Sequence, residues 1–572
     1  MPSSPKKRTR NILIGIAAFL LLAAIIFQVF IDRYLEPVIR QRLDRLIVAG
    51  SDSLYNFRLE KVKVNFWAGS VKVENFKVDI DSTRYAEREK SKTLPALTFS
   101  INLSKGSING INLIALAMKK KINIQSIISK NTDLVISRHF RKSNEEIKTD
   151  GQPLWKSLQP DIVGIAIDRI MLDDINLNYS NADSATAFKF KLEHLSAILD
   201  NTNVDSVSAT DTSRILFSKN IFLQLKETRL QTADALYALD VKNLEYSSLS
   251  REINIDSFRF RPLGNIQSFY KQVGLDKDRF NLSFPKMRLV NFYLPRFINE
   301  NELLIDTVHL DNPQINIYKD RTVKPDMASK YGKYPHQLLN NASFTMRIKK
   351  VAVNGADLTY TEKNQKSNLE GKLFFQNLKG TISNITNDSR DIQENSKCVA
   401  DIRGTFMKQS PIHAVFTFHL NDAQAGGFEV NADMEKLNAA QLNPITVPLA
   451  QASVKSFNMH EMHYYIRGNE RSGTGNLRML YDDLQVELRE KDEDDGKMKK
   501  KGLASFIVNK FVVYKENSAG EKERKAVNIT TARIQHKSFF NLVWKTLFNS
   551  SKDIAIRIDG LKEDKKGKKQ KK

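Results

Sequence analysis

The residues of this 572-residue sequence that are best suited to chemistry include two histidine pairs. His460 and His463 flank Glu461 in the segment NMHEMHYY, and imidazole together with carboxylate is a common set of zinc ligands. On a β-strand, side chains three residues apart point to opposite faces, so a metal site here would need a turn. His413 and His419 share one face of a predicted strand but lie far apart along it. We expect a surface or partial-core role for both pairs.

Two pairs of adjacent aspartates, Asp173-Asp174 and Asp482-Asp483, lie in predicted turns, where acidic residues more often serve turn geometry than acid–base catalysis. The sequence contains no Gly-rich phosphate loop, no nucleophile elbow and no HExxH motif. Its one cysteine, Cys398, excludes an intrachain disulfide framework and a multi-cysteine metal site. We therefore predict a protein that is not an enzyme and has no cofactor, no metal site and no small-molecule substrate.

Apolar residues alternate with polar ones from Phe57 almost to the end of the chain, as expected for strands with one apolar and one wet face. No helical pattern long enough for a crossover interrupts them, which predicts a mainly β, mostly antiparallel body with a few short helices. A signature of two short apolar runs around a turn appears three times, and it predicts three hairpins. These span 167–179, 305–317 and 348–360, with turns at Asp-Asp, Asp-Asn-Pro and Asn-Gly-Ala-Asp.

The chain matches itself without gaps when Phe99 is aligned with Phe280. Ile101 then falls on Leu282, and the similarity predicts two repeat units near 97–138 and 278–319. Each unit is predicted as strand, turn, a short apolar segment (111–118 in the first unit), strand, turn and strand. Such stacked repeats favour an elongated sheet.

The body is 41% hydrophobic and 27% charged, which is typical of a folded chain. The net charge is +23, and the last twelve residues, LKEDKKGKKQKK, hold seven lysines and two acids. This tail is either a solvated, disordered end or a segment that contacts anionic lipid headgroups. Nucleic acid is disfavoured as a partner because the sequence has no motif that reads it.

Residues 12–31 form an uncharged run long enough to cross the ~30 Å hydrocarbon core of a bilayer as a helix. We interpret it as an uncleaved anchor, because bulky and charged residues follow it; the alternative is a removed signal peptide. Basic residues before the span favour a cytoplasmic N-terminus and an exported body. The residues that best define the anchor are Ile12, Leu20, Leu21, Leu22, Ile25, Ile26, Phe30 and Ile31.

The sequence therefore predicts seven segments. They are a cytoplasmic basic tail (1–11), the transmembrane helix (12–31), a juxtamembrane amphipathic helix (32–50), a repetitive β domain (51–490), a charged loop (491–501), closing strands with a short amphipathic helix that begins at Ser538 (502–560), and the lysine-rich tail (561–572).

The chain resembles the AsmA-like proteins of Gram-negative envelopes, relatives of TamB. The resemblance rests on the N-terminal anchor, the repeat unit at 108–136 and two further segments. One segment is LEKVKV, from Leu59, followed by GSVKVENF, from Gly69; the other is GTGNLRMLYDDL, from Gly473. The similarity covers most of residues 1–490 in pattern and rests on no catalytic signature. It implies a curved β-sheet with an open apolar groove, anchored in the inner membrane and projecting through the periplasm. It also implies a role in moving phospholipid toward the outer membrane and in maintaining outer-membrane integrity.

Alternation in the strands supplies candidates for residues that line such a groove: Phe99, Ile101, Leu103, Phe280, Leu282, Phe284, Ile305, Ile315, Ile317, Val351, Val353, Leu358 and Tyr360. Pattern alone does not distinguish an open groove from the core of a closed sandwich or barrel. Two functions stay open. One is a phospholipid conduit, and the other is an adaptor that presents a sheet edge to an outer-membrane protein by β-augmentation.

Overall fold

The structure, a computed structural model, describes residues 47–48, 51–65, 69–91, 93–95, 97–111, 121–138, 163–181, 189–211, 213–215, 217–300, 302–491, 498–501, 505 and 512–556. Over these residues the chain is mainly β with short helices, which confirms the predicted class. The strands are β1 (Tyr55–Asn65), β2 (Ser70–Ile80), β3 (Leu97–Asn109), β4 (Lys121–Arg138), β5 (Gly164–Asn181), β6 (Lys189–Val204), β7 (Ser218–Gln231), β8 (Tyr237–Ser247), β9 (Glu252–Pro262), β10 (Arg279–Phe284), β11 (Lys286–Val290), β12 (Glu302–Asp311), β13 (Gln314–Asp320), β14 (Thr345–Lys363), β15 (Glu370–Thr386), β16 (Lys397–Phe406), β17 (Ser410–His419), β18 (Phe428–Asn438), β19 (Ala452–Gly468), β20 (Ser472–Lys491), β21 (Met498–Lys500) and β22 (Lys525–Ala532). The α-helices are α1 (Ser82–Lys90), α2 (Ile266–Val273), α3 (Leu294–Glu300), α4 (Pro335–Asn340), α5 (Ser389–Glu394), α6 (Ala439–Ala450) and α7 (Phe539–Ala555).

Several predicted segments lie outside the described residues. They are the basic tail and anchor at 1–31, nearly all of the juxtamembrane helix at 32–50, most of the apolar segment at 111–118, the centre of the charged loop at 492–497, and the lysine-rich tail at 561–572. Among the helices that are described, none is long and apolar enough to cross a membrane.

The chain divides into two compact units. Unit 1 contains residues 1–233, 240–256 and 290–302, and unit 2 contains residues 234–239, 257–289 and 303–572. In unit 1 each strand from β1 to β7 pairs with the next along the chain, and its core includes Leu54, Ile122, Ile165 and Ile167. In unit 2 the paired order is β9, β10, β13 to β20 and β22, and its core includes Tyr334, Phe428, Ile466 and Tyr481.

Most strand pairs are antiparallel, but β4 pairs with β5, and β13 with β14, in parallel. Parallel neighbours need a connection of about a dozen residues or more. The sequence did not predict parallel pairs, because it contains no helical pattern long enough for such a connection. The chain between β13 and β14 occupies residues 321–344 and contains only the short helix α4. The sheet is therefore mixed, and each unit contributes a parallel pair to it.

The three predicted hairpins are wrong. Residues 167–179 lie in the single strand β5 and residues 348–360 in the single strand β14, each with shifts in its pairing register. The predicted turns contain Asp174 and Gly355, whose φ angles are 59° and 71°. In the third segment, Asn312 (φ 52°) lies between β12 and β13. These two strands do not fold back on each other as a hairpin would, because both pair with β14. Asp, Asn and Gly accept positive φ in bulges as readily as in turns, so composition alone did not distinguish the two.

The predicted repetitive β architecture is confirmed by the strand register. Phe99 pairs with Ile136 in unit 1, and Phe280 pairs with Ile317 in unit 2, which preserves the ungapped alignment of the two repeat units. Left-handed positions recur at equivalent points of the strand pairing. Gly110 and Asn291, Asn131 and Asn312, and Asp174 and Gly355 keep the ungapped alignment, whereas Gly69 and Arg251 depart from it by one residue and Asn201 and Asn384 by two. The repeat-containing segments of unit 1 and unit 2 therefore differ in sequence but share their strand-pairing register and the positions of their positive-φ kinks.

The C-terminal segment contains the predicted amphipathic helix. The side chain of Ser538 caps α7 by accepting a hydrogen bond from the Asn541 amide at 3.4 Å, and the helix continues to Ala555. On the two sides of the charged break, β21 pairs antiparallel with the end of β20. Of the residues expected to resume strands, Phe506, Val508 and Phe511 lie outside the described part of the chain, and Val513 forms an isolated bridge with Ile556.

Candidate functional site, an apolar face on each sheet

One face of the unit 1 sheet carries a row of apolar side chains that crosses six paired strands. Leu134 on β4 lies opposite Ile101 on β3 and opposite Leu177 on β5. Directly opposed side chains have Cβ atoms about 5 Å apart, so the row is continuous. Its members are Phe57, Val78, Ile101, Leu134, Leu177 and Leu192.

The same arrangement occurs in unit 2. Ile315 on β13 lies opposite Leu282 on β10 and opposite Leu358 on β14. The row consists of Phe260, Leu282, Ile315, Leu358, Phe375 and Phe406. A second row runs beside each of these: Phe99, Ile136 and Tyr179 in unit 1, and Phe280, Ile317, Tyr360 and Leu373 in unit 2.

The rows are long enough to hold an acyl chain. Six strands with a spacing of about 4.8 Å extend roughly 24 Å across the sheet. One leaflet of a bilayer contributes about half of the ~30 Å hydrocarbon core. A single row can therefore contact one phospholipid tail along its whole length.

Burial along the strands is uneven. Near the start of β4, Ile122 and Ile124 are 0% and 2% exposed, whereas Leu134 and Ile136, near its end, are only half-buried. The corresponding residues of unit 2 follow the same trend, since Ile305 is buried and Ile315 is half-buried. The more accessible part of each apolar face thus lies toward the ends of β4 and β13.

The structure places all thirteen predicted groove residues on β-strands. Buried among them are Ile101, Leu103, Ile305 and Val351, and half-buried are Phe99, Phe280, Leu282, Phe284, Ile315, Ile317, Val353, Leu358 and Tyr360. Ile101 joins the first row of unit 1. Leu282, Ile315 and Leu358 are brought side by side in unit 2, as are Phe280, Ile317 and Tyr360.

A tyrosine supports the start of the second row in each unit. The Phe99 amide donates a hydrogen bond to Tyr55 Oη at 3.4 Å, and the Phe280 amide donates to Tyr237 Oη at 3.3 Å. Burial raises the pKa of Tyr55 to about 12, so this tyrosine stays neutral at physiological pH. The sequence did not predict either tyrosine, because the ungapped alignment places Tyr55 opposite Leu236, one residue before Tyr237.

In unit 2 charged residues border the second row on one side, one step farther along its strands, and we call this border the charged end. Two residues beyond Ile317 and Tyr360, Lys319 lies opposite Glu362. Lys319 Nζ is 3.2 Å from Asp278 Oδ1. Along β13 and β14, the apolar side chains of the row are therefore followed by charged side chains of both signs.

Arg321 extends this charged end. Its guanidinium lies 2.7 Å from Glu362 Oε1 and 3.3 Å from Asp276 Oδ2. The Tyr360 hydroxyl donates to Glu362 Oε2 at 2.7 Å, and burial together with that carboxylate raises the Tyr360 pKa well above its usual range. Burial, with the nearby Arg321 guanidinium, lowers the pKa of Lys537. A site that is apolar along the row and charged at its end suits an amphiphile.

The apolar face of the last strands of unit 2 is covered by α7. The Phe539 ring lies 4.8 Å from the Phe428 ring, 5.4 Å from that of Phe418 and 5.1 Å from that of Tyr334. Phe539 is only 5% exposed, so this part of the face is closed by an aromatic cluster.

The histidines bond to separate carboxylates. His460 Nε2 is 2.7 Å from Asp482 Oδ2, and His463 Nδ1 is 2.5 Å from Asp433 Oδ1. His413 and His419 likewise lie beside Asp401 and Glu429. Over the described residues, no group of three or more His, Cys, Asp or Glu side chains is placed to hold a metal ion.

The aspartate pairs lie within strands rather than in the predicted turns. Asp174 in β5 and Asp483 in β20 have φ angles of 59° and 49°. Both residues occupy kinks within a strand, because aspartate accepts a positive φ in a bulge as readily as in a turn. Asp174 Oδ1 is 2.6 Å from His194 Nδ1. Cys398 is buried, and burial raises the pKa of its thiol to about 11.

Comparison of the sequence with protein-family models and with curated proteins found no match. The fold and the site define the class: a repetitive, mainly β protein that presents rows of apolar side chains on a large mixed sheet. The rows, and the charged end of one of them, are the features on which a function has to be based.

Proposed function

We propose that this protein is anchored in the inner membrane of a Gram-negative cell and carries phospholipid along its apolar sheet faces toward the outer membrane, in support of outer-membrane biogenesis and integrity. The observation that carries the proposal is the recurrence, in both units and in the same register, of apolar rows that cross several paired strands.

The physical basis is the cost of exposing hydrocarbon to water. Each CH₂ group that leaves an apolar environment costs about 0.8 kcal/mol, so a bare acyl chain crosses an aqueous compartment very slowly. A series of apolar rows lowers this barrier without a covalent step. The proposed mechanism accordingly needs no catalytic residue and no cofactor, and it requires an open groove that is lined by an apolar sheet face.

The charged end of the second row in unit 2 supports a ligand that is amphiphilic. Lys319 and Arg321 could pair with a phosphate, while Glu362 and Asp278 lie beside them and could accept from an ammonium. The headgroup would then lie at this end, and a tail would lie along Phe280, Ile317 and Tyr360.

The membrane part of the proposal rests on the sequence. The uncharged run at 12–31 and the basic residues before it favour a single-pass anchor with a cytoplasmic N-terminus and a periplasmic body. The resemblance to AsmA-like proteins agrees with this arrangement.

Photo-crosslinking in living cells tests the proposal on the full chain. A photoreactive phenylalanine analogue in place of Phe280 should crosslink to phospholipid, because this half-buried ring lies on the apolar face. The same analogue in place of the exposed Asn281, one residue along the strand, should not. Equal labelling at the two positions, or none at either, would refute the assignment of the face to lipid.

A functional readout uses Ile317→Asp with Asn316→Asp as its matched control. Ile317 is half-buried on the apolar face and Asn316 is exposed on the same strand, so both variants add one carboxylate at neighbouring positions. Ile317→Asp should lower outer-membrane integrity while the protein stays folded, whereas Asn316→Asp should behave as wild type. A folded Ile317→Asp variant with full activity and a stable crosslink from an edge strand to an outer-membrane protein would instead favour the adaptor.

A further inference from the structure

Helix α7 has two apolar faces. One face packs on the unit 2 sheet through residues that are nearly fully buried: Phe539, Leu542, Thr546, Ser550 and Ile554. The other face presents Phe540, Trp544 and Phe548, which are 64%, 49% and 49% exposed. A spacing of four residues places these three rings in one stripe along the helix.

This stripe is not needed to hold the helix on the sheet. Phe540 contacts Phe539 and Phe416 at its edge, with ring centroids 5.2 Å and 6.3 Å away, yet most of its surface remains open. Exposed rings in a row are unusual on a protein whose surface otherwise carries a large excess of charge. The exposed stripe therefore indicates a binding surface.

The surroundings of the stripe are basic. Lys552 Nζ lies 5.1 Å from the centroid of the Phe548 ring, and Lys545 follows Trp544 on the same helix. Aromatic rings next to lysines are the combination that lies at the boundary between lipid headgroups and acyl chains.

The size of the stripe also favours a lipid surface. Three aromatic side chains that are half to two-thirds exposed offer roughly 300 Å² of apolar surface, given the 150–250 Å² that such a side chain can bury. A stable protein interface usually needs about 800 Å² from each partner. A bilayer needs no such matched area, since rings and lysines act on it additively.

We propose that the exposed face of α7, with Phe540, Trp544 and Phe548 at its centre, docks on the surface of an anionic phospholipid bilayer. The rings enter the boundary between headgroups and acyl chains, and Lys545 and Lys552 pair with anionic headgroups. This contact is separate from the apolar sheet faces and does not depend on their carrying lipid.

Vesicle capture by the full chain tests this contact. The protein is immobilised through an N-terminal tag, with its apolar N-terminal run held in a nanodisc of neutral phosphatidylcholine. It is then exposed to vesicles of phosphatidylcholine that contain about 30% phosphatidylglycerol, or none. Wild type should capture the anionic vesicles about ten-fold more than the neutral ones, and added salt should weaken the capture.

The double variant F540D/W544D should lose this capture by about ten-fold or more, because two carboxylates replace rings that would enter the bilayer. Val527→Asp is the matched control: Val527 is an apolar residue on β22 that is 61% exposed and lies outside the stripe, so its variant should capture vesicles as wild type does. Unchanged thermal unfolding of both variants establishes that the fold is intact.

A second readout uses Trp544 directly. Vesicles with brominated acyl chains should quench part of the wild-type tryptophan fluorescence, and Trp544→Phe should remove the quenched part. Capture by F540D/W544D at the wild-type level would overturn the proposal. So would a stripe that is occupied by a second copy of the chain, which would appear as a wild-type oligomer that F540D/W544D converts to a monomer without loss of vesicle capture.

Discussion

Leu134 lies directly opposite Leu177 across the parallel pair of β4 and β5. Ile315 and Leu358, the counterparts of these leucines in the repeat, have the same relationship across β13 and β14. The parallel step therefore belongs to the repeat, and it places apolar residues from strands that are distant in sequence next to each other.

Because the two units carry equivalent rows, loss of one row should remove only part of the bound lipid. We expect Leu134→Asp and Ile315→Asp each to reduce the phospholipid that co-purifies per chain by roughly half, and the double variant to remove most of it, since a buried-face carboxylate is poorly compatible with an acyl chain. Mass spectrometry of gently purified protein gives the ratio. Val135→Asp and Asn316→Asp are the controls, because both residues are exposed on the same two strands. If each single variant kept the wild-type amount of phospholipid per chain, the proposal that the rows of the two units bind lipid equally would be wrong.

Gly380 marks the closest approach of β15 to β16. Its φ is 155°, and an added Cβ would lie 2.0 Å from the Asp401 carbonyl oxygen, which is backbone and cannot turn away. Gly380→Ala should therefore lower the free energy of unfolding by about 3 kcal/mol, through overpacking and backbone strain together. Gly274→Ala is the comparison, because Gly274 has φ 68° with nothing within 4 Å of the new Cβ, and it should cost only about 1 kcal/mol. Chemical denaturation of the two variants measures both values, and equal losses would argue against a steric cause at Gly380.

His336 predicts a pH dependence of stability. It is 3% exposed, neither of its ring nitrogens has a hydrogen-bond partner among the described residues, and burial, with His419 nearby, lowers its pKa to about 4. The unfolded chain, with a pKa near 6.5, binds more protons than the folded chain between pH 6.5 and 4. Stability from the neutral ring is therefore complete above pH ~6.5 and is lost as the pH falls toward 4, by about 3 kcal/mol in all.

The variant His336→Leu isolates this contribution, since it keeps an apolar side chain between Tyr334 and Phe418. Its unfolding free energy should fall less steeply than that of wild type between pH 6.5 and 4. Parallel curves for the two proteins would show that His336 does not titrate as expected.

Arg533 is a buried cation whose loss should be costly. Its side chain is 1% exposed, its Cζ lies 4.2 Å from the centroid of the Tyr334 ring, and its Nη2 donates to the Lys330 carbonyl at 2.6 Å. Arg533→Ala leaves Glu470 without its cation and opens a cavity, so we expect a loss of about 3–5 kcal/mol. The exposed Arg467→Ala should change stability by no more than about 0.5 kcal/mol. Thermal unfolding distinguishes the two, and a small effect at Arg533 would mean that the surrounding rings close around the vacated space.

The sequence predicted what short-range alternation determines: the mainly β class, the strand faces, the repeat and helix α7. It did not predict the parallel pairs, because apolar alternation is identical in parallel and antiparallel strands. It took Asp174 and Gly355 as turn residues, since positive φ serves turns and bulges alike. The charged end of the second row was also missed, because Asp276, Arg321 and Glu362 are far apart in sequence and meet only through strand pairing.

The recurrence of register and kinks in the two units bears on the history of the chain. Asp174 corresponds to Gly355, and Val78 to Phe260, so side chains have diverged while the strand pairing has not. Duplication of one ancestral segment, followed by divergence of its side chains, would produce this pattern. Because such a segment carries its own parallel step and its own apolar rows, further duplications would enlarge the apolar surface in whole increments. Homologues of different length are therefore expected to differ by multiples of about 180 residues rather than by arbitrary insertions.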